Sequence, residues 1–221
     1  MFNDIASRYD FLNHFLSAGI DKCWRKKVRK HLAPFHPQLI LDVATGTGDL
    51  AIELEKLHPV KITGIDIATE MLAIGNKKIS NRKLDKTITL QEGDSENLDF
   101  KSGTFDAVTV AFGVRNFEDL QRGLSEMCRV MKPGGHVAIL EFSKPKSFPF
   151  RQLYNAYFKY ALPLMGKIIS KNDEAYTYLP ESVQSFPEDN TFMEEMKTAG
   201  FVQTGQKRLT FGIATMYFGL K

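Results

Sequence analysis

The sequence predicts an α/β protein built on a mostly parallel sheet with both faces covered, and three observations carry that prediction. From Leu39 onward, short apolar runs alternate with segments of helical period, the pattern of strand–helix–strand crossovers. Strands joined by such crossovers run parallel, because each crossover returns the chain to the same end of the sheet. The alternation stops after Pro145 and resumes near the C-terminus as one helix and two strand-like segments. The short gap between those last two segments predicts an antiparallel pair at one sheet edge.

The elements follow in order. Between Phe2 and Leu32, the apolar residues Ile5, Phe11, Leu12, Phe15, Leu16, Trp24 and Val28 suit two helices broken near Ser17-Ala18-Gly19. Residues 39–43 read as a short buried strand that ends in a glycine turn, and residues 50–57 follow with helical period. Further strands are expected at 60–65, 87–91, 105–111 and 137–142, with helices at 69–79 and 120–131. The tail gives a helix at 192–199 and strands around Phe201 and at 210–219. No repeat or linker divides the chain, so a single domain spans 1–221. Residues 1–36 form its N-terminal helical cap and 145–182 a helical lid.

Composition narrows the function. With 221 residues, 43% hydrophobic and 25% charged, the chain has material for one substantial core. A formal charge of +3 lacks the dense basic excess of a genome-binding protein. Cys23 and Cys128 stand far apart and the five histidines are scattered, so no metal site is expected. No apolar run approaches the roughly 20 residues that span a bilayer. Asp4, Arg8 and Asp10 interrupt any signal-peptide pattern, and a cytoplasmic location is the expectation.

The chemistry-bearing segment is Asp42-Val-Ala-Thr-Gly-Thr-Gly-Asp49, at the carboxyl end of the first strand, where sheets of this kind bind ligands. Gly46 and Gly48 let the backbone turn sharply and approach a ligand, having no Cβ to obstruct it. Asp66, twenty positions after Gly46, closes the second strand and can accept hydrogen bonds from both hydroxyls of a ribose. A dinucleotide oxidoreductase competes, since Gly46-x-Gly48-x-x-Ala51 meets its looser fingerprint. Three features oppose it. An oxidoreductase usually starts at its first strand, whereas 37 residues precede Gln38 here. Asp42 lies four residues before Gly46, where it meets the cationic amino group of a methionine moiety. Gly93-Asp94-Ser95 closes the third strand, where an acid meets an adenine amino group. Together these favour S-adenosyl-L-methionine as cofactor, with S-adenosyl-L-homocysteine as product, and methyl transfer over hydride transfer.

Tyr9-Asp10-Phe11-Leu12-Asn13, Ser17 and Trp24 resemble one signature of the ubiquinone/menaquinone biosynthesis C-methyltransferases. Arg129-Val-Met-Lys-Pro-Gly-Gly-His-Val-Ala-Ile-Leu-Glu141-Phe-Ser143 resembles the other. Phe112-Gly-Val-Arg-Asn116, Asn172-Asp173 and the stretch from Tyr176 to Ser182 are also similar to that family, so the likeness covers almost the whole chain. The resemblance implies a class I S-adenosylmethionine-dependent methyltransferase fold. That fold is Rossmann-like, with seven strands and an antiparallel C-terminal hairpin. It also implies cofactor contacts at Thr47, Asp66, Asp94 and Ser95. The implied acceptor is a polyprenyl quinol, chiefly demethylmenaquinol giving menaquinol, with a benzoquinol of ubiquinone biosynthesis as the alternative. There are departures: Asp21 replaces a histidine and Leu12 a methionine. Ala111 replaces a serine, so a cofactor contact there would run through its backbone. Family members usually begin further upstream, which makes a shortened N-terminus the expectation.

Displacement at a sulfonium methyl relies on in-line placement of the nucleophile at about 3–3.5 Å. A ring carbon becomes nucleophilic when a ring hydroxyl loses its proton, so the acceptor should be the reduced quinol, its oxyanion stabilised by a cation or donor. Arg115 and Asn116, just past the fourth strand, are the candidates to orient that hydroxyl. A structural alternative pairs Arg115 with Glu118 or Asp119. Tyr9 and Asp10 are placed to close over the site, His14 is a weaker candidate base, and Asp173 and Tyr176 are candidate pocket residues. Residues 148–165 hold five aromatics in their first thirteen positions, suited to a quinone pocket or to an amphipathic helix packed on the sheet. Lys22, Arg25, Lys26, Lys27, Arg29 and Lys30 form a basic run around Trp24. It reads either as peripheral contact with the inner face of the cytoplasmic membrane or as a solvated helix face. A homodimer is a further expectation. A ligand-binding scaffold without turnover is disfavoured by the intact Asp66, Asp94 and Arg115-Asn116. Nucleic-acid methylation lacks an Asn-Pro-Pro-Tyr-type motif and a basic domain.

Overall fold

The computed structural model describes residues 19–156 and 182–221. Helix α1 (Asp21–Leu32) leads into β1 (Leu39–Val43), α2 (Asp49–Leu54), β2 (Lys61–Asp66), α3 (Thr69–Asn81) and β3 (Ile88–Glu92). After them come β4 (Phe105–Ala111), α4 (Leu120–Val130), β5 (Met131–Phe142) and α5 (Phe150–Ala156). The chain closes with α6 (Asn190–Thr198), β6 (Val202–Leu209) and β7 (Ala214–Leu220). Among the described residues these strands form one seven-stranded sheet in the order β3-β2-β1-β4-β5-β7-β6. Strands β1 to β5 are parallel, and β7 runs antiparallel between β5 and β6. The order therefore reverses beside β1, which pairs with β2 on one side and β4 on the other. A crevice opens there, beyond the carboxyl ends of β1 and β4.

Both faces of the sheet are buried, which is why its central strands read as continuous apolar runs. Ile40 and Leu41 are neighbours on β1, yet they belong to cores on opposite faces, as the two-residue period of a strand requires. On one face, α1 contributes Trp24, Val28 and Leu32, spaced one helical turn apart and all buried. On the other, α4 and α6 contribute Leu124, Met127, Phe192 and Met196.

The departures from the expected elements have local causes. Strand β5 begins at Met131 and not near residue 137, because Met131 pairs with Phe105 ahead of a bulge that includes Gly134 at φ 76°. Thr210–Gly212 forms a tight turn between β6 and β7 and is not part of a strand. The helix expected at 50–57 ends at Leu54 and tightens into a 3₁₀ turn over Glu55–Leu57. Of the expected N-terminal helix pair, the second is α1. The first, together with residues 157–181 of the lid, lies outside the described residues.

Helix α3 packs closely on the glycine-containing loop through Gly75. A Cβ at that position would stand 2.4 Å from Leu90 Cδ1 and 3.1 Å from the carbonyl carbon and oxygen of Thr47. Alanine would gain up to about 1 kcal/mol of helix propensity, but overpacking typically costs about 1–3 kcal/mol. Gly75→Ala is therefore expected to lower the urea midpoint; a raised midpoint would contradict the close packing.

Candidate cofactor and active site

Two backbone reversals open the crevice. Ala44 follows β1 at φ 50° and Phe112 follows β4 at φ 61°. Both are non-glycine residues in the left-handed region, a conformation that concentrates at functional sites. Gly113 lets the two reversals pass each other, since a Cβ there would meet the Ala44 Cβ at 2.5 Å. Gly46 (φ 57°) and Gly48 (φ 78°) then carry the loop into α2.

Asp66 ties this loop to the end of β2. Its Oδ2 accepts a hydrogen bond from the Gly46 N–H at 2.7 Å, and its Oδ1 accepts from the Ala68 N–H at 2.9 Å. Each carboxylate oxygen has a second lone-pair site, so both can still accept from a diol. Burial raises the Asp66 pKa, against the opposing pull of the backbone donors.

A cavity of about 240 Å³ lies beyond this junction, lined by Gly46, Asp66, Ile67, Asp94, Ser95, Phe112 and Asn116 among others. Asp94 is fixed at its rim because its Oδ1 accepts from the Glu96 N–H at 2.8 Å. A second cavity of about 30 Å³ shares Ala44, Gly46 and Phe112 with the first. Its remaining walls include Arg25, Asp42, Thr45, Thr47, Asp49 and Ala111. Asp42 is 1% exposed; its oxygens accept from Thr45 Oγ1 at 2.6 Å and Thr109 Oγ1 at 2.7 Å. Burial pushes its pKa up to about 6, although the two threonine hydroxyls and Arg25 pull the other way. Thr47 Oγ1 accepts from Lys78 Nζ at 2.8 Å, and Lys78 also pairs with Asp49 at 2.8 Å.

Arg25 was grouped with the basic run, and the structure divides that run. Arg25 turns inward to Asp21 (2.6 Å) and Asp49 (3.4 Å), and Arg29 pairs with Glu53 (2.7 Å). Lys22, Lys26, Lys27 and Lys30 remain exposed. The i, i+4 spacing of Asp21 and Arg25 signalled their pairing, but not that the pair is buried. Ile67 was also missed. It is 67% exposed beside Asp66 and offers the cavity an apolar flank. Its signal was an apolar residue directly after a strand-ending acid.

Arg115 and Asn116 are neighbours with different surroundings. Asn116 lines the larger cavity. The Arg115 side chain is 6% exposed, and its Nη1 pairs at 2.7 Å with Glu141 Oε1, whose side chain is 0% exposed. The partner is thus Glu141 and not Glu118 or Asp119. Asp119 caps α4 by accepting from the Arg122 N–H at 3.0 Å. Arg115 also lies over the Phe142 ring at 5.5 Å, and its Nε is buried with no hydrogen-bond partner among the described residues. Trp24, Phe112 and Phe142 form an aromatic cluster with centroid separations of 4.5–6.0 Å. Phe148 and Leu153, from the aromatic stretch, face solvent and border neither cavity. Tyr9, Asp10, His14, Asp173 and Tyr176 lie outside the described residues. No described helix is long and apolar enough to cross a membrane.

The ubiE/COQ5 methyltransferase family matches this chain over residues 1–221. The chain belongs to that family. A demethylmenaquinone methyltransferase of Bacteroides fragilis is 47% identical over 222 residues, covering all of this chain and 91% of the relative. The ubiquinone/menaquinone biosynthesis C-methyltransferase UbiE of Geobacter sulfurreducens is 46% identical over 223 residues, covering all of this chain and 87% of the relative. Among solved structures, a SAM-dependent methyltransferase of Thermotoga maritima superposes with a TM-score of 0.67 at 19% identity over the whole of both chains. A putative S-adenosyl-L-methionine-dependent methyltransferase of Methanococcus maripaludis gives 0.67 at 18% identity, covering 99% of this chain and 93% of that one. These two likenesses establish the fold, the seven-stranded class I methyltransferase architecture the resemblance implied.

Removing one member of a buried ion pair strands the other, at a cost of about 3–5 kcal/mol. Arg115→Met is therefore expected to lose stability on that scale in urea denaturation. The double variant R115M/E141L should lose less than the sum of the two single changes. Strict additivity would contradict a direct pair.

Proposed function

We propose that this enzyme transfers a methyl group from S-adenosyl-L-methionine to a ring carbon of reduced demethylmenaquinone, yielding menaquinol. The observation that carries the reading is the pair of confluent cavities around Gly46, in a chain that belongs to a quinone C-methyltransferase family. Their walls fit the cofactor at both ends. Asp66 accepts from the ribose hydroxyls, and Ile67, Asp94 and Ser95 flank the adenine. Asp42 receives the ammonium of the methionine end, with Thr47 and the Ala111 backbone alongside; Gly48 lines neither cavity and serves the turn into α2. When bound, S-adenosyl-L-methionine supplies an electrophilic methyl group and departs as S-adenosyl-L-homocysteine; chemistry of this kind needs no metal.

The protein's own part is to orient the acceptor and favour its phenolate form. Asn116 faces the cavity and orients the quinol hydroxyl through its side-chain amide. Arg115 acts from behind it as a positioning residue. Held by Glu141, it fixes the turn that presents Asn116. Tyr9 and Asp10 are assigned to acceptor binding on the family signature they belong to. A polyprenyl acceptor resides in the bilayer, so the enzyme works at the inner face of the cytoplasmic membrane as a peripheral protein, singly or as a homodimer.

Incubation with labelled S-adenosyl-L-methionine and reduced naphthoquinol or benzoquinol acceptors, read by mass spectrometry, tests the reaction. The expected product carries one new methyl on the naphthoquinol ring; no transfer to either quinol would overturn the reading. Asp66→Ala should weaken S-adenosyl-L-homocysteine binding at least about tenfold, the scale of one lost charge-assisted hydrogen bond. Asn116→Ala should instead lower kcat and leave that affinity nearly unchanged. Equal cofactor affinity in wild type and Asp66→Ala would refute the ribose assignment.

Asp42 adds a pH dependence whose sign follows from its raised pKa of about 6. Relative to the unfolded chain, folding favours its neutral form. Its stabilising contribution is complete below the ordinary carboxylate range and disappears as pH rises through about 6. A ligand ammonium favours the ionised form, so affinity should fall as pH drops through that value. Calorimetric titration with S-adenosyl-L-homocysteine should show this fall in wild type and lose it in Asp42→Asn. A wild-type affinity that is flat across that range would contradict the Asp42 role.

A further inference from the structure

Several large apolar side chains stand in solvent on two adjoining segments that neither cavity uses. Phe148 is 80% exposed, and Leu153 and Phe211 are each 63% exposed. Single exposed hydrophobics are ordinary, but a contiguous group of them marks a contact surface. Contiguity is given by the Phe150 ring, which stacks on Phe211 at 3.7 Å and 5°, joining α5 to the β6–β7 turn. Leu153 stands one helical turn after Phe150 on the same helix.

The turn holds Phe211 outward at a conformational cost. Phe211 has φ 57° and ψ 17°, in the left-handed region that a bulky side chain disfavours. Two bonds pin the turn in place. Trp24 Nε1 donates to Thr210 Oγ1 at 2.8 Å, and Ser143 Oγ donates to the Gly212 carbonyl at 2.9 Å. Because Phe142, the last residue of β5, pairs with Ala214, the turn projects from the same end of the sheet as the cofactor crevice.

Charge around this tip is sorted by depth. The Lys146 and Lys144 side chains are 71% and 43% exposed, whereas their partners Asp189 and Glu188 are 16% and 10% exposed. Arg208 holds Asp189 from within at 2.6 Å. Arg151 on α5 is exposed as well. The ion pairs thus turn their cations outward and their acids inward, complementary to an anionic surface.

We propose that this tip is a membrane-docking edge for bilayers that carry anionic lipid. Phe148, Leu153 and Phe211 enter the boundary between headgroups and acyl chains, and Lys144, Lys146 and Arg151 rest on the headgroups. The inference rests on the reading that the acceptor is a polyprenyl quinol, since such an acceptor must pass from the bilayer to a cleft at this end. It assigns the contact to the tip and not to α1. That helix runs away from the crevice, so that His31 packs against Phe218 at 4.6 Å, toward the opposite end of β5.

Flotation with vesicles of mixed phosphatidylglycerol and phosphatidylcholine, or of phosphatidylcholine alone, tests the edge at low and high salt. Wild type should float with the anionic vesicles at low salt and lose much of that binding at high salt. F148S/F211S should float about tenfold less, as expected when two apolar anchors are removed. It should keep wild-type melting and wild-type turnover of a short-chain, water-soluble naphthoquinol, while turnover of a long-chain quinol in vesicles falls. K26Q/K27Q/K30Q should float like wild type. Equal flotation of wild type and F148S/F211S, or loss of flotation only in the α1 variant, overturns the proposal. So does a wild-type dimer that F148S/F211S converts to monomer, which would assign the patch to a second copy. Methylation of the short-chain quinol without flotation overturns the docking edge alone. Flotation without methylation of any quinol overturns the acceptor reading beneath it.

Discussion

The site depends on the carboxylate of Asp66, which accepts the Gly46 and Ala68 N–H groups and so joins the end of β2 to the loop that follows β1. The backbone ladder between them ends with the Thr45 N–H, which donates to the Ile65 carbonyl at 2.9 Å, and Asp66 carries the junction one residue further into the loop. With that junction made, the left-handed residues Ala44 and Phe112 open the crevice at a fixed width. Gly46 then stands with Ala44 and Phe112 in the wall common to both cavities. One carboxylate thus organises the loop while keeping lone pairs for a ligand diol.

Helix α1 links that junction to the turn that carries Arg115 and Asn116. Adjacent residues on it face different tasks: Trp24 packs against Phe112 and Phe142, while Arg25 reaches Asp49 at the start of α2. Phe142 in turn carries Arg115, whose ion pair with Glu141 is almost fully removed from water. A pair so deeply buried adds little net stability over an apolar replacement, because desolvating both charges offsets their attraction. Its role is best understood through position: it fixes the turn at Val114–Asn116 beside the cavity.

Much of this was legible in the chain. Residues 39–43 and 105–111 were bounded correctly because strands buried on both faces are mostly apolar and end abruptly at turn residues. The early start of β5 was not legible, since Pro133-Gly134-Gly135 reads as a turn although the chain rejoins the ladder beyond it. Asp42, Asp66, Asp94 and Ser95 line the two cavities because they lie at or near the carboxyl ends of strands, which converge in this topology. Arg25 and Arg29 read as surface charge because nothing local shows that Asp49 and Glu53 lie across from them. Glu141 fell within a recognised signature, but its partner lies 26 residues earlier and on another element. Pairings of that kind are set by the sheet order, which local pattern does not encode.

The central claim is that the two cavities around Gly46 hold the two ends of one ligand. A crystal structure of the enzyme with S-adenosyl-L-homocysteine measures this directly. The expected result places both ribose hydroxyls on Asp66 and the adenine beside Ile67 and Asp94. It also places the ammonium group in the smaller cavity, next to Asp42. A ligand whose ribose lies away from Asp66, or whose amino-acid end lies outside the cavity lined by Arg25 and Asp42, would contradict the account.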